Sequence, residues 1–448
     1  MQTTIQITDQ ELRETVTYLQ HLVSINTTNP PGNEIEACRY IAAIFDKENI
    51  PYTILEAAPG RGNIIARLKG DGSKKPLLLS SHLDVVPCEN NQWECDPFSG
   101  IIKDGCVWGR GTIDMKQMTA MSMALFIKAH KEKLPLKRDL IFAAVADEEE
   151  GCHHGSAWLV KHHRDLIAAE YALNEVGGFS LYVGGKRFYP IGVAQRGICW
   201  FKMISRGETG HGAMPHNQQA LPPLFKAAHR LASQQLPFHR TKVFEDFVYS
   251  LAGQLGPLKG FVLKASTKKR LSNFVLNQLF PDKAAAQTFR VMYRNTATPT
   301  IIRAGQKTNV IPTDAEVHVD GRILPEQSVA SFLKEVRALV GHEVEIEVIN
   351  KKEPCTVDYS NPFFGGLKEA LISADPEGIP VPYLIPGFTD ANFYADVGIK
   401  TYGFVPTKLP EGVPFRTLFH GHNERIPVEA VHFGVKVLWD VILRSCLT

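Results

Sequence analysis

Acidic side chains and histidines occur where the chain leaves its most apolar segments. His82 and Asp84 follow one such segment, Glu148 and Glu149 follow a second, and Glu175 follows a third. Each apolar segment reads as a buried strand, and strand ends in open α/β sheets are where ligand sites form. These side chains are therefore candidates for one shared site.

His82 and Asp84 are two residues apart, so in an extended segment they point to the same side. A neutral imidazole is a good ligand for zinc, and a carboxylate behind it fixes its tautomer and raises its basicity. Read alone, a histidine and an aspartate at this spacing are a weak signal.

The acidic run at 147–150 places adjacent carboxylates at the end of a buried strand. Such clustering is unfavourable without a cation, because like charges repel and burial disfavours ionisation. A solvated acidic loop is the alternative. Two roles would explain the pair Glu148 and Glu149: one carboxylate binds metal, and its neighbour takes a proton from a metal-bound water.

Asp114 stands before a methionine-rich helix in a glycine-containing turn, where helix capping is the alternative role. Near the C-terminus, His420 and His422 suit a metal site or a hydrogen-bond network equally well. Taken together, nitrogen and carboxylate ligands of this number suit two metal sites with one bridging carboxylate. Zinc fits such a set, with cobalt or manganese as substitutes. The set is His82, Asp114, Glu149, Glu175 and His420.

The elements that would position these residues alternate between strands and helices, which predicts an α/β sheet with much parallel pairing. The pattern changes near Gln195, where strands begin to alternate apolar and polar residues as in a half-exposed antiparallel sheet. The first pattern resumes near Pro354. We therefore predict one α/β domain, residues 1–196 and 353–448, interrupted by an α+β domain, residues 197–352.

The bulk composition is that of a globular enzyme. Its 448 residues suggest two domains, and its formal net charge of +2 predicts no nucleic-acid partner. We expect no membrane partner, no signal peptide and a cytoplasmic location, because no long apolar stretch and no basic leader are seen. The basic cluster at 264–270 is interpreted as the solvated face of an amphipathic helix anchored by Leu271, Phe274, Val275 and Leu279.

Seven motifs in order resemble those of the M20 metallopeptidase family, which includes aminoacylase, acetylornithine deacetylase, succinyl-diaminopimelate desuccinylase and glutamate carboxypeptidase. The resemblance covers nearly the whole chain. Its markers are Ser-His-Leu-Asp at 81–84, Gly-Arg-Gly-Thr-Ile-Asp-Met-Lys at 109–116, Ala-Asp-Glu-Glu-Glu-Gly at 146–151, Asn-Glu at 174–175, Gly-His-Gly-Ala-Met-Pro at 210–215, Thr-Asn-Val-Ile-Pro at 308–312 and His-Gly-His-Asn-Glu at 420–424.

The resemblance implies two zinc ions per subunit. His82 and Glu175 would bind one ion, Glu149 and His420 the other, and Asp114 would bridge them. His422 has the wrong offset for a ligand.

Two acids beside the ligands have implied roles of their own. Asp84 would orient His82, and Glu148 would be the general base that acts on the bridging water. The implied fold is a zinc-peptidase-like α/β catalytic domain with a mixed, largely parallel sheet. A smaller α+β lid or dimerisation domain interrupts it.

Further residues have roles by resemblance only. His211 would reach a neighbouring active site and stabilise the oxyanion, so a homodimer is expected, and Asn309 would bind substrate. Gly387 and Thr389 resemble a substrate-side loop. Arg322 would meet a substrate carboxylate, and a structural salt bridge is the alternative.

Two departures from the family pattern bear on the substrate. Glu175 stands where some members, mainly peptidases, have Asp, which favours the aminoacylase-like side. The inserted domain is also longer by roughly 237–300, as in the carboxypeptidase S and N-acyl-amino-acid branch. Its apolar residues would line an acyl-chain pocket or simply pack the enlarged domain; they are Phe261, Val262, Leu263, Phe274 and Leu279.

The function predicted from these residues is hydrolysis of the amide bond of N-acyl amino acids or small peptides with a free carboxylate. A metal-dependent carboxypeptidase or dipeptidase is the alternative with the same chemistry. A catalytically silent binding protein on this fold is a third hypothesis, which the intact ligand set disfavours. No G-x-S-x-G motif supports a serine hydrolase.

Overall fold

The computed structural model describes residues 6–280, 283–413 and 415–447. Within them, α-helices alternate with strands along much of the chain. The helices are α1 Asp9–Ser24, α2 Glu34–Lys47, α3 Lys116–Lys131, α4 Ser156–His162, α5 Arg164–Ile167, α6 Leu221–Ser233, α7 Lys242–Gln254, α8 Pro257–Ala265, α9 Lys269–Phe274, α10 Lys283–Met292, α11 Val329–Val340, α12 Pro362–Ala374, α13 Ala391–Asp396, α14 Phe415–Leu418 and α15 Val428–Leu447. A 3-10 turn spans Asn90–Gln92, and a π-helical turn spans Val275–Leu279.

The strands are β1 Tyr52–Glu56, β2 Gly62–Leu68, β3 Leu77–His82, β4 Ile102–Lys103, β5 Cys106–Trp108, β6 Leu140–Val145, β7 Tyr171–Asn174, β8 Leu181–Val183, β9 Lys186–Gln195, β10 Gly197–Arg206, β11 Gly210–His211, β12 Thr296–Ala304, β13 Val310–Ile311, β14 Asp314–Ile323, β15 Glu345–Lys352, β16 Cys355–Thr356, β17 Ile379–Ile385, β18 Lys400–Gly403 and β19 Arg425–Pro427.

The chain divides into two compact units. The first comprises Met1–Val193, Val357–Pro382 and Thr389–Thr448, and the second comprises Ala194–Thr356 and Tyr383–Phe388. The sequence placed the boundaries at 196/197 and 352/353. The catalytic and lid or dimerisation roles of the two domains stay predictions.

A mixed sheet forms the centre of the first unit. Its strand order includes β1, β2, β6, β3, β7, β18 and β9, and β8 also pairs with β9. The pairs β3–β6, β3–β7 and β7–β18 are parallel, whereas β1–β2, β2–β6 and β9–β18 are antiparallel. The predicted α/β class with a mixed sheet is therefore confirmed, and its parallel part is the central block of four strands.

Helices cover both faces of this sheet, which explains why β3 and β6 are apolar on both sides. On one face Phe142 of β6 packs against Phe45 of α2 and Phe126 of α3. On the other, Ile141 of β6 belongs to a buried cluster with residues of α4, α5 and α13, among them Tyr394. The parallel block is thus held rigidly, and its strand ends are fixed.

The methionine-rich helix that follows Asp114 is α3, and its apolar side chains lie in the core. Met118, Met121 and Leu125 are all buried. Thr8 is the N-cap of α1, because its hydroxyl accepts from the Glu11 backbone and the Glu11 carboxylate accepts from the Thr8 N–H.

The second unit contains a four-stranded antiparallel sheet in the order β12–β14–β10–β15. Alternate residues of β10 and β14, such as Phe201 and Val317, pack with Phe332 of α11 and Leu224 of α6 in one core. The alternating patterns thus predicted three of the strands. β12 was not predicted, because most of its residues are exposed and no apolar face marks it.

The helices α7, α8, α9 and α10 fill most of the segment 237–300. Val275 is buried, but Leu271, Phe274 and Leu279 are exposed, so the expectation that all four anchor a helix is wrong for three of them. Phe261 is also exposed. Of the side chains expected to line an acyl-chain pocket or to pack the enlarged domain, Leu263 is buried and packs, whereas Phe261, Phe274 and Leu279 are exposed.

None of the described helices has both the length and the apolar composition that crossing a lipid bilayer requires.

Candidate metal centre

Three neighbouring parallel strands bring the first ligand candidates together. β3 lies between β6 and β7, so the carboxyl ends of all three meet at one edge of the sheet. His82 is the last residue of β3, Glu175 directly follows β7, and Glu148 and Glu149 lie in the turn after β6. The acids and the histidine that follow the three apolar segments therefore lie together at one edge of the sheet.

One half of the cluster is built on His82. Its Nε2 lies 3.1 Å from Oδ1 of Asp114 and 3.8 Å from Oε2 of Glu175. One potential ligand atom from each of the three buried residues lies within 4.8 Å of the others. Three donors converging on one point are the arrangement that a metal ion requires.

The other half of the cluster is built on His420, which reaches it from a turn late in the sequence. Its Nε2 lies 3.2 Å from Oδ2 of Asp114 and 3.2 Å from Oε2 of Glu149. Asp114 therefore turns one carboxylate oxygen to each histidine. His422 is absent from the ligand groups found among the described residues.

Asp84 contacts both His82 and the turn that carries Glu148 and Glu149. Its Oδ1 is 3.5 Å from Nδ1 of His82, and its backbone carbonyl is 3.0 Å from the same nitrogen. The two carboxylate oxygens accept hydrogen bonds from the N–H groups of Glu148 and Glu149, each at 3.1 Å. Asp84 thus fixes both a histidine and the turn that carries two of the acids.

A buried network holds the acidic turn at Asp147, whose φ is +68°. This left-handed conformation is unfavourable for a non-glycine residue and needs support from its surroundings. Asn29 donates to the Asp147 carboxylate at 3.0 Å and to Asp84 at 2.9 Å. Arg61 donates to Asp147 at 2.9 Å and forms a two-pronged ion pair with Glu34 at 2.7 and 2.9 Å.

Glu424 holds the loop that presents Asp114. Its fully buried carboxylate accepts from Arg110 at 2.7 Å and from the backbone N–H groups of Gly111, Ile113 and Asp114 at 2.7–3.3 Å. The sequence marked Glu424 only as part of a motif. The structure makes it the link between the His420 turn and the Asp114 loop.

The carboxylates of the cluster have perturbed pKa values. Burial, followed by the charge of Glu175, raises the pKa of Glu148 well above its usual range. Burial also raises the pKa of Glu175 and, together with the charge of Asp114, that of Glu149. Hydrogen bonds from His420 and His82 outweigh burial at Asp114 and lower its pKa.

The pKa values of both histidines are raised, whereas burial alone lowers the pKa of an imidazole. Hydrogen bonds to Asp114 and Glu149 raise the pKa of His420 to about 10. At His82 burial works the other way, but the hydrogen bonds to Asp114 and Asp84 raise the pKa well above its usual value. The cluster is thus an excess of negative charge that attracts cations.

The side chains are suited to metal ions by their donor atoms and by two buried carboxylate oxygens that lack hydrogen-bond partners among the described residues. Oε1 of Glu149 and Oε1 of Glu175 are buried, and neither has a hydrogen-bond partner among the described residues. Buried carboxylates without partners are strongly unfavourable. Nitrogen and oxygen donors of this kind bind divalent cations such as Zn²⁺, which would remove that penalty.

A small pocket adjoins the cluster on the side of Asp114 and Glu175. Its further lining includes Phe179, Thr407 and Phe419. A mixed apolar and polar wall beside charged groups is typical of small-molecule sites.

The residues that the sequence assigned by resemblance to the inserted domain lie in the second unit. His211 in β11 and Asn309 before β13 are adjacent, because Gly212 N–H donates to the Asn309 carbonyl at 2.9 Å. Both side chains are exposed. Arg322 forms an ion pair with Asp320 at 2.9 Å, which is the structural alternative considered for it.

The predicted loop at 387–390 spans the boundary between the units, with Gly387 assigned to the second and Thr389 to the first. Thr389 is buried, and its hydroxyl accepts from Ala391 N–H at 3.2 Å. Asp390, to which no role was assigned, is buried as well. Burial raises its pKa to about 6, and its charge contributes to the raised pKa values of Glu148 and Glu175.

The fold and the cluster define a metal-dependent hydrolase that acts on carbon–nitrogen bonds. The model of peptidase family M20/M25/M40 matches residues 78–444, so the chain belongs to this family. The family predicted from the seven motifs is thereby confirmed.

Comparisons with individual proteins agree. The chain is 28% identical over 428 residues to N-fatty-acyl-amino acid synthase/hydrolase PM20D1 of Bos taurus, covering 90% of this chain and 81% of that protein. It is 25% identical to aminoacylase-1 of Dictyostelium discoideum, covering 96% and 97%. The fold resembles the M20 family metallo-carboxypeptidase Sso-CP2 from Sulfolobus solfataricus, with a TM-score of 0.71, 16% identity and coverage of 97% and 99%.

Proposed function

We propose that this protein is a two-zinc hydrolase that cleaves the amide bond of N-acyl amino acids with a free carboxylate. The observation that carries the proposal is the position of Asp114, whose two carboxylate oxygens lie 3.1 and 3.2 Å from different histidines. A single carboxylate between two ligand groups is suited to bridging two metal ions. The remaining acids of the cluster then complete one site each.

His82 and Glu175 would hold one ion, Glu149 and His420 the other, with Asp114 common to both. Zinc suits this nitrogen and oxygen set, and cobalt or manganese would substitute. When bound, two such ions supply Lewis-acid polarisation of a carbonyl oxygen and lower the pKa of an attacking water.

Glu148 is the proposed general base. Its raised pKa, caused by burial and by Glu175, brings the carboxylate closer to the range in which a base works near neutral pH. Its backbone is held by Asp84, so the carboxylate is presented in a fixed position. Glu148 takes the proton from the water and then gives it to the leaving amine.

His211, Asn309, Arg322, Gly387 and Thr389 are proposed to act on the substrate, on the basis of the family resemblance. His211 would stabilise the developing oxyanion. Arg322 would have to exchange its ion pair with Asp320 to meet a substrate carboxylate. A homodimer is proposed because His211 would act in the active site of a neighbouring subunit. A cytoplasmic location is proposed from the sequence.

The relatives support the substrate class. One relative is named N-fatty-acyl-amino acid synthase/hydrolase and another aminoacylase-1. Glu175 in place of an aspartate favours the same side of the family. A carboxypeptidase or dipeptidase has the same chemistry on a substrate with a free amino group, and the substrate panel below distinguishes the two.

Replacement of Glu148 by Gln tests the proposal. The zinc-loaded protein is assayed on N-acetyl-amino acids, N-oleoyl-amino acids and unblocked dipeptides. We expect acyl substrates to be hydrolysed, and we expect the variant to lose about a hundredfold to ten-thousandfold in kcat, because the proton acceptor is removed while the ligands remain. Elemental analysis should give the same zinc content for both proteins.

Glu150→Gln is the matched control, because Glu150 is the exposed neighbour in the same acidic turn. It should retain wild-type rates. Turnover of dipeptides alone would replace the deacylase proposal by the peptidase. Failure of the wild-type protein to bind any divalent metal would refute the two-metal proposal.

A further inference from the structure

The surface of the second unit carries a cationic and apolar patch on α8, α9 and the π-helical turn. Between residues 247 and 281 the sequence has five basic residues and no acidic one. The basic residues are Lys259, Lys264, Lys268, Lys269 and Arg270. The overall net charge of +2 conceals this local concentration.

The α8 helix separates its side chains into three groups. With about 100° of rotation per residue, Leu258, Phe261, Val262 and Ala265 fall on one side within roughly a third of the circumference. Lys259 and Lys264 flank this stripe on either side. Gly260 and Leu263 lie opposite and are buried.

The buried side of α8 is packed against α7 at close range. A side chain at Gly260 would meet the carbonyl oxygen of Ala252 at 2.5 Å, so this face is committed to the fold. Because the opposite face of α8 is buried, the apolar stripe faces solvent. Leu258 is 77% exposed and Phe261 is 71% exposed.

The following segment continues the same composition. Phe274 is 59% exposed, and Leu271 and Leu279 are also exposed, whereas Ser272, Val275 and Leu276 of the same elements are buried. The π-helical turn packs against α8. Exposed large apolar side chains and lysines thus occur together on elements that contact one another, and exposed apolar surface of this kind marks an interaction site.

We propose that this patch docks on an anionic lipid surface, which would overturn the sequence-based expectation of no membrane partner. An interfacial helix has an outward apolar face flanked by lysines, whose stems lie along the acyl chains while the ammonium groups reach the phosphates. α8 has this arrangement, and the segment 247–281 has no acidic residue that anionic headgroups would repel. The protein would bind the membrane surface without crossing it.

A second copy of the chain is a poorer occupant. A two-fold dimer through the patch would bring like charges against each other, because an isologous interface opposes the same surface to itself. Nucleic acid is also poorer: Phe261 and Phe274 could stack on bases, but Leu258, Val262 and Leu271 have no π-face for stacking. Both alternatives are outcomes of the test.

Vesicle sedimentation tests the proposal, using equimolar phosphatidylcholine and phosphatidylserine against phosphatidylcholine alone. We expect binding to the anionic vesicles that weakens with added salt. Each of the changes Lys259→Gln and Lys264→Gln should weaken it about fivefold. The double change Leu258→Ser and Phe261→Ser should weaken it roughly tenfold or more.

Matched controls lie elsewhere in the same unit. Ile301→Ser with Ile302→Ser removes two exposed apolar side chains from β12, and Lys334→Gln removes an exposed lysine from α11. Both should bind as the wild type does. Unchanged hydrolysis of a short, water-soluble N-acetyl substrate and an unchanged thermal midpoint would show that all variants are folded.

Three results would overturn the proposal. The first is equal or no binding to both kinds of vesicle. The second is loss of a concentration-dependent dimer, rather than of vesicle binding, in the Leu258 and Phe261 variant. The third is binding of a short single-stranded RNA, weakened by Lys259→Gln and Lys264→Gln, together with no binding to either kind of vesicle.

Discussion

At the scale of single residues, Glu424 shows how one buried carboxylate sets the distance between ligands that are far apart in sequence. It accepts four hydrogen bonds from the 110–114 loop, and it lies four residues after His420. Since Asp114 and His420 are 3.2 Å apart, a shift of either loop would change both halves of the cluster.

We expect Glu424→Gln to weaken metal binding by about 10–100-fold, as changes to groups that position metal ligands typically do. The amide cannot accept from all four donors, and it leaves Arg110 buried without a counter-charge. Zinc titration against a competing chelator measures the effect. Glu429→Gln is the control, because that side chain is 90% exposed and should leave the affinity unchanged.

A zinc affinity of Glu424→Gln equal to that of the wild type would show that the 110–114 loop keeps its position without this carboxylate.

The ligand candidates were identifiable from the sequence because histidines and acids at strand ends are chemically conspicuous. Their supporting residues were not. Asn29 and Arg61 contact Asp147 across 118 and 86 residues, and no local pattern announces such a contact. The roles in substrate binding remain predictions for a similar reason, since motifs alone suggest them and all of these residues except Thr389 lie in the second unit.

At the scale of elements, the acidic turn after β6 depends on an ion pair between the start of α2 and the beginning of β2. Arg61 is shared by Glu34 and Asp147, and all three side chains are buried. The turn therefore keeps its left-handed residue only while this network is complete.

Arg61→Met should reduce the free energy of unfolding by about 3–5 kcal/mol, because it leaves two carboxylates buried without their partner. Chemical denaturation monitored by circular dichroism measures the change. Arg39→Met is the control: Arg39 pairs with Glu36 on the exposed side of α2, and its removal should change stability by no more than about 0.5 kcal/mol. Equal losses in the two variants would contradict the argument.

Buried strands were predictable, since an apolar run with turn residues at both ends has few alternatives. The apolar segments before His82–Asp84, Glu148 and Glu175 are indeed the strands β3, β6 and β7. The 237–300 segment was not predictable in the same way. A run such as Phe261 and Val262 indicates a helix that is apolar on one side, but whether that side faces a core or solvent depends on what packs against it.

At the scale of the whole molecule, the charges of the cluster couple metal binding to stability. Without a cation, the folded state raises the pKa values of Glu148, Glu149 and Glu175. It also raises that of His420 to about 10. A group with a raised folded-state pKa stabilises the fold below its unfolded pKa and loses that contribution as pH rises through the folded value.

We therefore expect the chelated protein to become less stable as pH rises from about 5 to about 9, starting from unfolded pKa values of about 4.3 for Glu and 6.5 for His. Asp114 acts in the opposite sense, but only at more acidic pH, because its pKa is lowered. Bound cations should remove most of this decline. Calorimetry of zinc-loaded and chelated protein across this range measures the difference.

The difference in Tm between zinc-loaded and chelated protein should widen as pH rises. Glu149→Gln should reduce this difference in the alkaline part of the range. Parallel curves for the loaded and chelated forms would contradict the expectation.

The clamp formed by Glu424 also has a consequence for biosynthesis. The ribosome delivers His82 and Asp114 early and His420 and Glu424 more than 300 residues later, after the whole of the second unit has emerged. A nascent chain can thus fold the parallel strands and collect four of the acids while the metal centre is still open on one side. The half of the cluster built on His420 can therefore close only after the second unit has been synthesised.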